Sequence, residues 1–220
     1  MFVFSNLAIS LDGKIAPADR SFVPLGTKAD LRMMHLIRSR SDVVLMGAST
    51  IRTFRKPCLV TRVPLKKKIQ PANAVVSSTL EGISPAWPFF TENGMKRILF
   101  VSERASRARI QKFEQSCEII VLQSKKKVGP LILKELTKRG YSNVLVEGGG
   151  SLMWEFAQEN LIDEYNVTLT PKIVGGSLAP TLVDGLGFSG ENILNLKLKS
   201  FKKVGDEIYL VYRKKTRFTI

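Results

Sequence analysis

Short apolar runs rich in β-branched residues recur along the chain and alternate with longer amphipathic segments. The apolar runs predict strands over residues 2–9, 42–47, 73–78, 97–102, 117–122, 143–148 and 164–171. The amphipathic segments predict helices over residues 27–40, 104–116 and 129–141, and a further helix that begins at Ser151 and ends near Asn160. Strands that alternate with helices are typical of a mostly parallel sheet with helices on its faces.

The C-terminal pattern differs, because two strand-like runs follow each other directly. Residues 195–204 and 208–215 flank a short Gly-Asp-Glu segment, which predicts an antiparallel hairpin. The chain contains no internal repeat and no Pro/Gly/Ser-rich linker. We therefore expect a single α/β domain over residues 1–220, with a mixed, mostly parallel sheet and an antiparallel edge.

Helix-end signals support two of the predicted helices. Thr27 and Asp30 have the spacing of a capping box, in which each side chain bonds the backbone N–H of the other residue. Pro130 near the start of another helix and Gly140 at its end match the usual preferences of helix termini.

Three consecutive glycines, Gly148, Gly149 and Gly150, lie between a predicted strand and the helix that begins at Ser151. Free backbone N–H groups and the positive end of a helix dipole make such a junction suitable for a phosphate. The alternative is a tight turn that needs positive φ angles. We favour ligand binding, because three glycines directly follow the carboxylate of Glu147. The loop is neither the G-x-G-x-x-G dinucleotide fingerprint nor a Walker A loop.

Charge is the most unusual feature of the composition, since 34 basic and 19 acidic residues give a net charge of +15 over 220 residues. The basic residues include segments at 65–68, 124–129, 196–203 and 212–217. They form either a solvated surface or a positive field that attracts an anionic ligand. We disfavour nucleic-acid binding, because the segments are scattered and no RRM, KH or zinc-finger signature accompanies them.

Cysteine and histidine usage argues against several classes of enzyme. Cys58, Cys117 and His35 are far apart and form no metal-ligand spacing, so a zinc site or a histidine-dependent hydrolase is disfavoured. We interpret His35 as a packing residue, because it lies near the apolar face of its helix. No apolar run approaches the ~20 residues that a membrane helix needs, and no basic region precedes the N-terminal apolar run. We expect a cytoplasmic protein without a structural disulfide.

The first strand leads into Asp12-Gly13, which is either a hairpin turn or the start of a long loop over an active site. Here a family resemblance emerges from four blocks in order: SLDGKIA, LRMMHLIRSRSDVVLMGAST, VLVEGGGSL and LIDEYNVTLTPKIVGG. Together they resemble the pyrimidine reductase of riboflavin biosynthesis over nearly the whole chain. That reductase is the C-terminal domain of a bacterial bifunctional deaminase-reductase and a separate protein in archaea and fungi.

The resemblance implies a fold, a reaction and an assembly. The implied fold is dihydrofolate-reductase-like, with a central mixed sheet and flanking helices, and the implied assembly is a homodimer. The implied reaction is the NADPH-dependent reduction of the ribosyl group of a 5-amino-6-(5-phosphoribosylamino)pyrimidine to ribityl. The deaminase activity is not expected, because its H-x-E and P-C-x-x-C zinc signature is absent from the sequence.

The resemblance also assigns roles to residues that match the family motifs. The implied NADPH-binding residues are Ala8, Thr50, Ser78, Gly148, Gly149, Gly150, Ser151 and Leu152. The implied substrate-binding residues are Arg38, Leu59, Arg62 and Glu147. Asp12 and Glu147 are the candidate catalytic residues, Asp12 because it borders both ligands.

One segment departs from the family pattern. Family members continue after the position of Thr50 as T-V-x-x-D-D/N-P-x-L, whereas this chain carries Phe54, Arg55 and Lys56 before Pro57. The acidic pair is lost and the charge is reversed. Two further hypotheses therefore stay open: an NADPH-dependent reductase of the same fold with another substrate, and a non-enzymatic binding protein that uses its basic surface.

Overall fold

A computed structural model describes residues 1–65, 69–123 and 126–215. Parts of the basic segments at 65–68, 124–129 and 212–217 therefore lie outside the described residues. The basic segment at 196–203 is described, and it lies on an exposed edge strand.

The described residues form one sheet of nine strands. The strands are β1 (Phe2–Ile9), β2 (Val43–Gly47), β3 (Ala72–Ser77), β4 (Arg97–Ser102), β5 (Glu118–Leu122), β6 (Asn143–Val146), β7 (Glu164–Leu169), β8 (Leu196–Val204) and β9 (Glu207–Lys214). Their order across the sheet is β5-β4-β3-β2-β6-β1-β7-β9-β8. Strands β1 to β7 pair in parallel, whereas β9 pairs antiparallel with both β7 and β8. The predicted mixed sheet with a C-terminal antiparallel hairpin is confirmed.

Six α-helices occur in the described part of the chain. They are α1 (Lys28–Arg38), α2 (Ala48–Phe54), α3 (Pro88–Thr91), α4 (Arg107–Gln111), α5 (Val128–Lys138) and α6 (Gly150–Ala157), and a short 3-10 turn follows at Gly190–Asn192. The helix predicted over 104–116 is wrong in length, since only Arg107–Gln111 is helical. The sequence pattern missed α2 and α3, because helices of seven and four residues are too short to show a helical period.

Apolar side chains on the two faces of the sheet form two layers of core. On one face, Met153 and Phe156 of α6 pack with Val144 and Val146 of β6. On the other face, Leu145 packs with residues of α1 and α2, including Ile37 and Ile51. The alternation along β6 follows from the two-residue period of a strand. It also assigns α6 to one face of the sheet, and α1 and α2 to the other.

The start of α1 is tied to the C-terminal hairpin. Thr27 is the N-cap, and its hydroxyl accepts a hydrogen bond from the Ala29 N–H at 3.2 Å. The Thr27 backbone N–H and hydroxyl donate to the buried Glu207 carboxylate at 2.6 and 2.9 Å. The capping-box spacing predicted that Asp30 would accept a hydrogen bond from the Thr27 N–H, and Glu207 accepts that bond instead. The carboxyl group of Asp30 instead interacts with Thr168 on β7.

Strand order places a topological switch point between β2 and β6. The chain leaves β2 through α2 toward β3, whereas it leaves β6 through α6 toward β7 on the opposite side. Ligands of open α/β sheets bind where neighbouring connections diverge in this way, outside the carboxyl ends of the strands. None of the helices in residues 1–65, 69–123 and 126–215 has the length and apolar character needed to cross a bilayer.

Candidate functional site

The switch point is where a ligand-binding crevice is expected, and backbone bonds hold the ends of β2 and β6 together there. The Glu147 N–H donates to the Leu45 carbonyl at 2.9 Å, and the Gly47 N–H donates to the Gly148 carbonyl at 2.8 Å. Both strands lead directly into helices, so the first turns of α2 and α6 face each other across the crevice.

Each of the three glycines in this loop meets different surroundings. Gly148 has φ +85°, and a Cβ there would lie 3.0 Å from Leu7 Cδ2, so its main requirement is conformational. Gly149 is the N-cap of α6, which begins at Gly150, one residue before the predicted start at Ser151. A Cβ on Gly150 would collide with the Asp184 carboxylate and lie 2.6 Å from the Thr181 carbonyl oxygen. The segment around Asp184 therefore closes that side of the helix.

Gly149 lies between the first turns of α2 and α6. A Cβ placed on it would lie 3.4 Å from Ser49 Oγ and 3.6 Å from Thr50 Oγ1. A side chain at this position would fill the space between the two helices. Hydroxyl groups line one wall, and the first-turn N–H groups of α6, which lack partners within the helix, line the other. These are the donors that a phosphate or pyrophosphate requires, so the residues present fit a dinucleotide cofactor.

A buried ion pair lies on the α1 face of the sheet beside this crevice. Arg38 Nε donates to Glu147 Oε1 at 2.8 Å, and Arg38 Nη2 donates to Glu147 Oε2 at 2.6 Å. Their side chains expose only 12% and 9% of their surface. Burial is the largest influence on the pKa of Arg38 and lowers it, but the charge of Glu147, the influence of Cys58 and the hydrogen bonds with both together raise the pKa, so the guanidinium stays protonated.

The thiol of Cys58 completes this cluster. Its Sγ lies 3.6 Å from Glu147 Oε2. Burial raises the pKa of Cys58 to about 12, although the charge of Arg38 acts in the opposite direction. The group is therefore a neutral thiol that donates to Glu147, and it lacks the thiolate character of a reactive cysteine.

His35 lies on the same helix as Arg38 and is buried. Its Nδ1 accepts a hydrogen bond from the Thr61 N–H at 3.3 Å. Burial is the main cause that lowers its pKa, and the charges of Arg38 and Arg62 act in the same direction. A neutral imidazole thus holds the segment that carries Leu59 and Arg62 against α1.

The structure gathers most of the predicted binding residues at the carboxyl edge of the parallel strands. Ala8 lies near the end of β1, in register with Thr168. Thr50 lies in the first turn of α2, and Ser151 and Leu152 lie in the first turn of α6. Ser78 follows β3, one strand farther from the crevice, where its carbonyl accepts a hydrogen bond from the Ser102 hydroxyl.

The predicted substrate residues are arranged beside the ion pair. Leu59 is half-buried next to Cys58, and Arg62 is exposed at the surface. The effect of Arg62 on the His35 pKa places its charge within electrostatic range of the cluster. Arg38 and Glu147 were assigned to the substrate separately, whereas the structure pairs them with each other.

Asp12, like Glu147, accepts three hydrogen bonds from within the protein. Its carboxylate accepts hydrogen bonds from Ser10 Oγ at 2.6 Å, the Val174 N–H at 3.0 Å and the Gly175 N–H at 2.7 Å. These bonds, that of Ser10 first, lower the pKa of Asp12 to about 2. The side chain therefore anchors the loop after β1 to the segment that follows β7.

Sequence reasoning missed two polar residues beside the crevice. Ser49 was not selected, because the family motif pointed to its neighbour Thr50. Two adjacent hydroxyl residues after a predicted strand could have identified both. Asp30 was assigned to a helix cap. Burial raises its pKa, while the hydrogen bond with Thr168 lowers it and the carboxylates of Glu207 and Glu147 raise it further.

Comparison with known proteins is consistent with this geometry. The family model described as the RibD C-terminal domain matches residues 1–210. The chain is 32% identical over 198 residues to the 2,5-diamino-6-ribosylamino-4(3H)-pyrimidinone 5′-phosphate reductase of Aquifex aeolicus, and the match covers 87% of each chain. It is 30% identical over 212 residues to the protein of the same name from Methanothermobacter thermautotrophicus, covering 96% of this chain and 97% of that relative.

A solved structure shares the fold. A pyrimidine reductase-like protein from Corynebacterium diphtheriae aligns with a TM-score of 0.84 and 17% identity, covering 98% of this chain and 92% of its own. At this identity the likeness concerns the architecture alone, namely the mixed sheet and its flanking helices.

Proposed function

Because the chain belongs to the RibD C-terminal domain family, we propose that it is an NADPH-dependent reductase of riboflavin biosynthesis. Its substrate in this proposal is a ribosylaminopyrimidine 5′-phosphate, whose ribosyl group becomes ribityl. The fold is of the dihydrofolate-reductase-like type that the sequence resemblance implied. The observation that carries the proposal is the position of Gly149 next to the Ser49 and Thr50 hydroxyls at the start of α6, with Glu147 of the Arg38–Glu147 pair directly before the glycines.

The cofactor assignments follow from the donors around the crevice. The N–H groups of the first turn of α6, which includes Ser151 and Leu152, bind the pyrophosphate together with the hydroxyls of Ser49 and Thr50. Ala8 has a small side chain near the end of β1, so a flat ring can approach the sheet there. Ser78 contacts the far end of the cofactor. The nicotinamide, when bound, supplies the hydride.

The substrate assignments follow from charge. Arg38 keeps its positive charge while it is paired with Glu147, and together with Arg62 it binds the 5′-phosphate. The Glu147 carboxylate accepts hydrogen bonds from the sugar or the base. Leu59 provides apolar contact, and Asp12 holds the loop after β1 over the site. Fixing the acceptor carbon in this way removes much of the entropic barrier to hydride transfer.

A substitution at Gly149 tests the phosphate cradle. Gly149 has φ −75°, which any residue adopts, so Gly149→Asp adds a carboxylate beside Ser49 and Thr50 without requiring a left-handed backbone. We expect this variant to lose saturable NADPH binding, measured by fluorescence titration, while its circular dichroism stays that of the parent. Gly190→Asp is the matched control, because a Cβ on Gly190 meets no atom within 4 Å. Unchanged NADPH affinity in Gly149→Asp would contradict the cradle.

The altered segment Phe54-Arg55-Lys56 favours a second candidate, an NADPH-dependent reductase of the same fold with another substrate. Oxidation of NADPH at 340 nm with the ribosylaminopyrimidine phosphate separates the two, because only the first candidate predicts turnover. A parent protein that binds neither NADPH nor NADH at millimolar concentration would leave the non-enzymatic binding protein as the explanation. Tighter binding of NADPH than of NADH is the expected cofactor preference.

Assembly and location belong to the same proposal. Residues 1–220 form one reductase domain that assembles as a homodimer in the cytoplasm. Strand β8 supports dimer formation, since it lies at the edge of the sheet with Leu198 and Phe201 exposed. The two cysteines, Cys58 and Cys117, are free thiols, as is usual in a reducing compartment. Light scattering during size-exclusion chromatography would give the mass of the assembly, and a monomer would refute the dimer.

A further inference from the structure

Two carboxylates lie near the start of α1, and only one of them is fully hydrogen-bonded. Glu207 is buried and accepts three hydrogen bonds, from the Thr27 N–H, the Thr27 hydroxyl and the Tyr209 hydroxyl. The side chain of Asp30 is half-buried, and in the described part of the chain its hydrogen-bond partner is Thr168. A carboxylate has about four acceptor positions, so most of those on Asp30 are left for a ligand.

The strand register places Asp30 near the residue that is proposed to face the cofactor ring. Thr168, which holds the Asp30 carboxyl group, pairs in register with Ala8 on the neighbouring strand β1. Paired residues of adjacent strands lie about 5 Å apart and point to the same face of the sheet. Ala8 is four residues after Phe4, which packs on the α1 side, so Ala8 and Thr168 both face α1. The Asp30 carboxyl group therefore borders the place where the nicotinamide is proposed to lie.

Contacts with the sheet also relate Asp30 to the Arg38–Glu147 pair. Both Asp30 and Arg38 extend from α1 toward the sheet, because one bonds Thr168 on β7 and the other bonds Glu147 directly after β6. They are eight residues apart on α1, which is about 12 Å along a helix. The charge of Glu147 contributes to the raised pKa of Asp30, so the two groups are within electrostatic range.

A polar side chain lies on the strand between these two ends. Strand β1 lies between β6 and β7, and Asn6 on β1 is two residues before Ala8, so its side chain faces α1 as well. Asn6 is half-buried, and among the described residues its side-chain amide has no hydrogen-bond partner. Burying an unpaired amide is costly, which is accounted for if a polar ligand occupies the space. The Arg38–Glu147 pair, Asn6 and Asp30 thus form one polar surface between α1 and the sheet.

The chemistry of the base decides what Asp30 can bind. In the proposed function the substrate phosphate lies at Arg38 and Arg62, so the base extends toward Asp30. The sugar nitrogen is attached to C6 of the base, and the edge formed by C2 and N3 lies on the far side of the ring. In a 2-aminopyrimidin-4-one this edge carries two parallel donors, the 2-amino group and the N3–H, which match the two oxygens of a carboxylate. In a uracil the group on C2 is a carbonyl oxygen, which offers a carboxylate no proton.

We propose that the Asp30 carboxylate binds the C2–N3 edge of the base and selects a 2-aminopyrimidin-4-one over a uracil. This inference rests on the proposed function and specifies the base that the substrate carries. A site that hydrogen-bonds a substrate group discriminates strongly against an analogue without that group, because a buried polar atom is then left unpaired. Thr168 holds the carboxylate, and the bonds from Thr27 to Glu207 fix the start of the helix that carries it.

Calorimetry in the absence of NADPH tests this selection without turnover. The two ligands are 2,5-diamino-6-(5-phosphoribosylamino)pyrimidin-4-one and 5-amino-6-(5-phosphoribosylamino)uracil, which carry different groups on C2 and the same sugar phosphate. We expect the parent to bind the diamino compound at least about a hundredfold more tightly than the uracil. In Asp30→Asn the side-chain amide can donate to a C2 carbonyl, so this ratio of affinities should fall at least about tenfold.

Asp19→Asn is the matched control, because Asp19 is an exposed carboxylate in the loop before α1 and bonds Ser21. It should leave the ratio of affinities unchanged. Equal affinity of the parent for the two ligands, or a preference for the uracil, would overturn the inference and leave the proposed function standing. An equal loss of affinity for both ligands in Asp30→Asn would also overturn it, since that is the effect of a merely structural role. A parent that binds neither ligand would refute the proposed function, and this inference with it.

Discussion

Removing Arg38 leaves Glu147 as a buried carboxylate without its guanidinium partner. The two side chains expose 12% and 9% of their surface and share two hydrogen bonds of 2.8 and 2.6 Å. Breaking a buried pair of this kind costs about 3–5 kcal/mol, because one charge stays desolvated without compensation. We expect Arg38→Met to lower the free energy of unfolding by that amount. The double variant Arg38→Met/Glu147→Leu should lose less than Arg38→Met alone, because neither charge remains.

Urea unfolding followed by circular dichroism gives the four free energies of this double-mutant cycle. The exposed pair between Arg109 and Glu81 is the matched control, with an N–O distance of 3.0 Å and side chains that are 43% and 66% exposed. Breaking it should cost less than about 1 kcal/mol. If the effects of Arg38→Met and Glu147→Leu simply add in the double variant, the two residues act independently and the reasoning from burial is wrong.

Three further predictions follow from individual groups. Gly150→Ala should destabilise the fold by about 1–3 kcal/mol in urea unfolding, since the new methyl collides with the Asp184 carboxylate, whereas Gly190→Ala should be neutral. Hydrogen bonds lower the pKa of Asp12 from its ordinary 3.8 to about 2, so it contributes stability above pH 4 that is lost as the pH falls through 2. Asp12→Asn should flatten the stability profile over that interval, and an unchanged acid profile would refute this. Cys58, with a pKa of about 12, should resist alkylation at pH 8 until the protein unfolds, and rapid labelling of the folded protein would refute its burial.

The buried parallel strands were the part of the fold that the sequence predicted best. All five residues of β2 are buried, so the strand is a continuous apolar run. Helix α2 was not predicted from the sequence. It has seven residues and buries Ile51 alone, so it shows no repeated apolar spacing. Helix α4 was predicted too long, since beyond Gln111 the chain turns and buries Phe113 without remaining helical.

Some residues of the site could be identified from the sequence, and others could not. The glycine loop and Thr50 could be located, because a strand end followed by a helix start is a local pattern. The pairing of Arg38 with Glu147 joins residues 109 positions apart, and the cap from Glu207 to Thr27 spans 180. Both depend on which strands are neighbours in the sheet. Local periodicity carries no information about strand order, so these contacts required the structure.

Strand β1 precedes the other strands of the sheet along the chain and is one of the last to acquire its partners. Its neighbours in the sheet are β6 and β7, and the Val3 N–H bonds Asp163, 160 positions farther along the chain. Until that part of the chain has left the ribosome, an apolar segment with Val3 and Phe4 has no sheet to join. Closing so long a loop is entropically costly, and unpaired strands promote aggregation meanwhile. Strand β1, which lies between β6 and β7 in the finished sheet, is thus a segment of the nascent chain that a chaperone would protect.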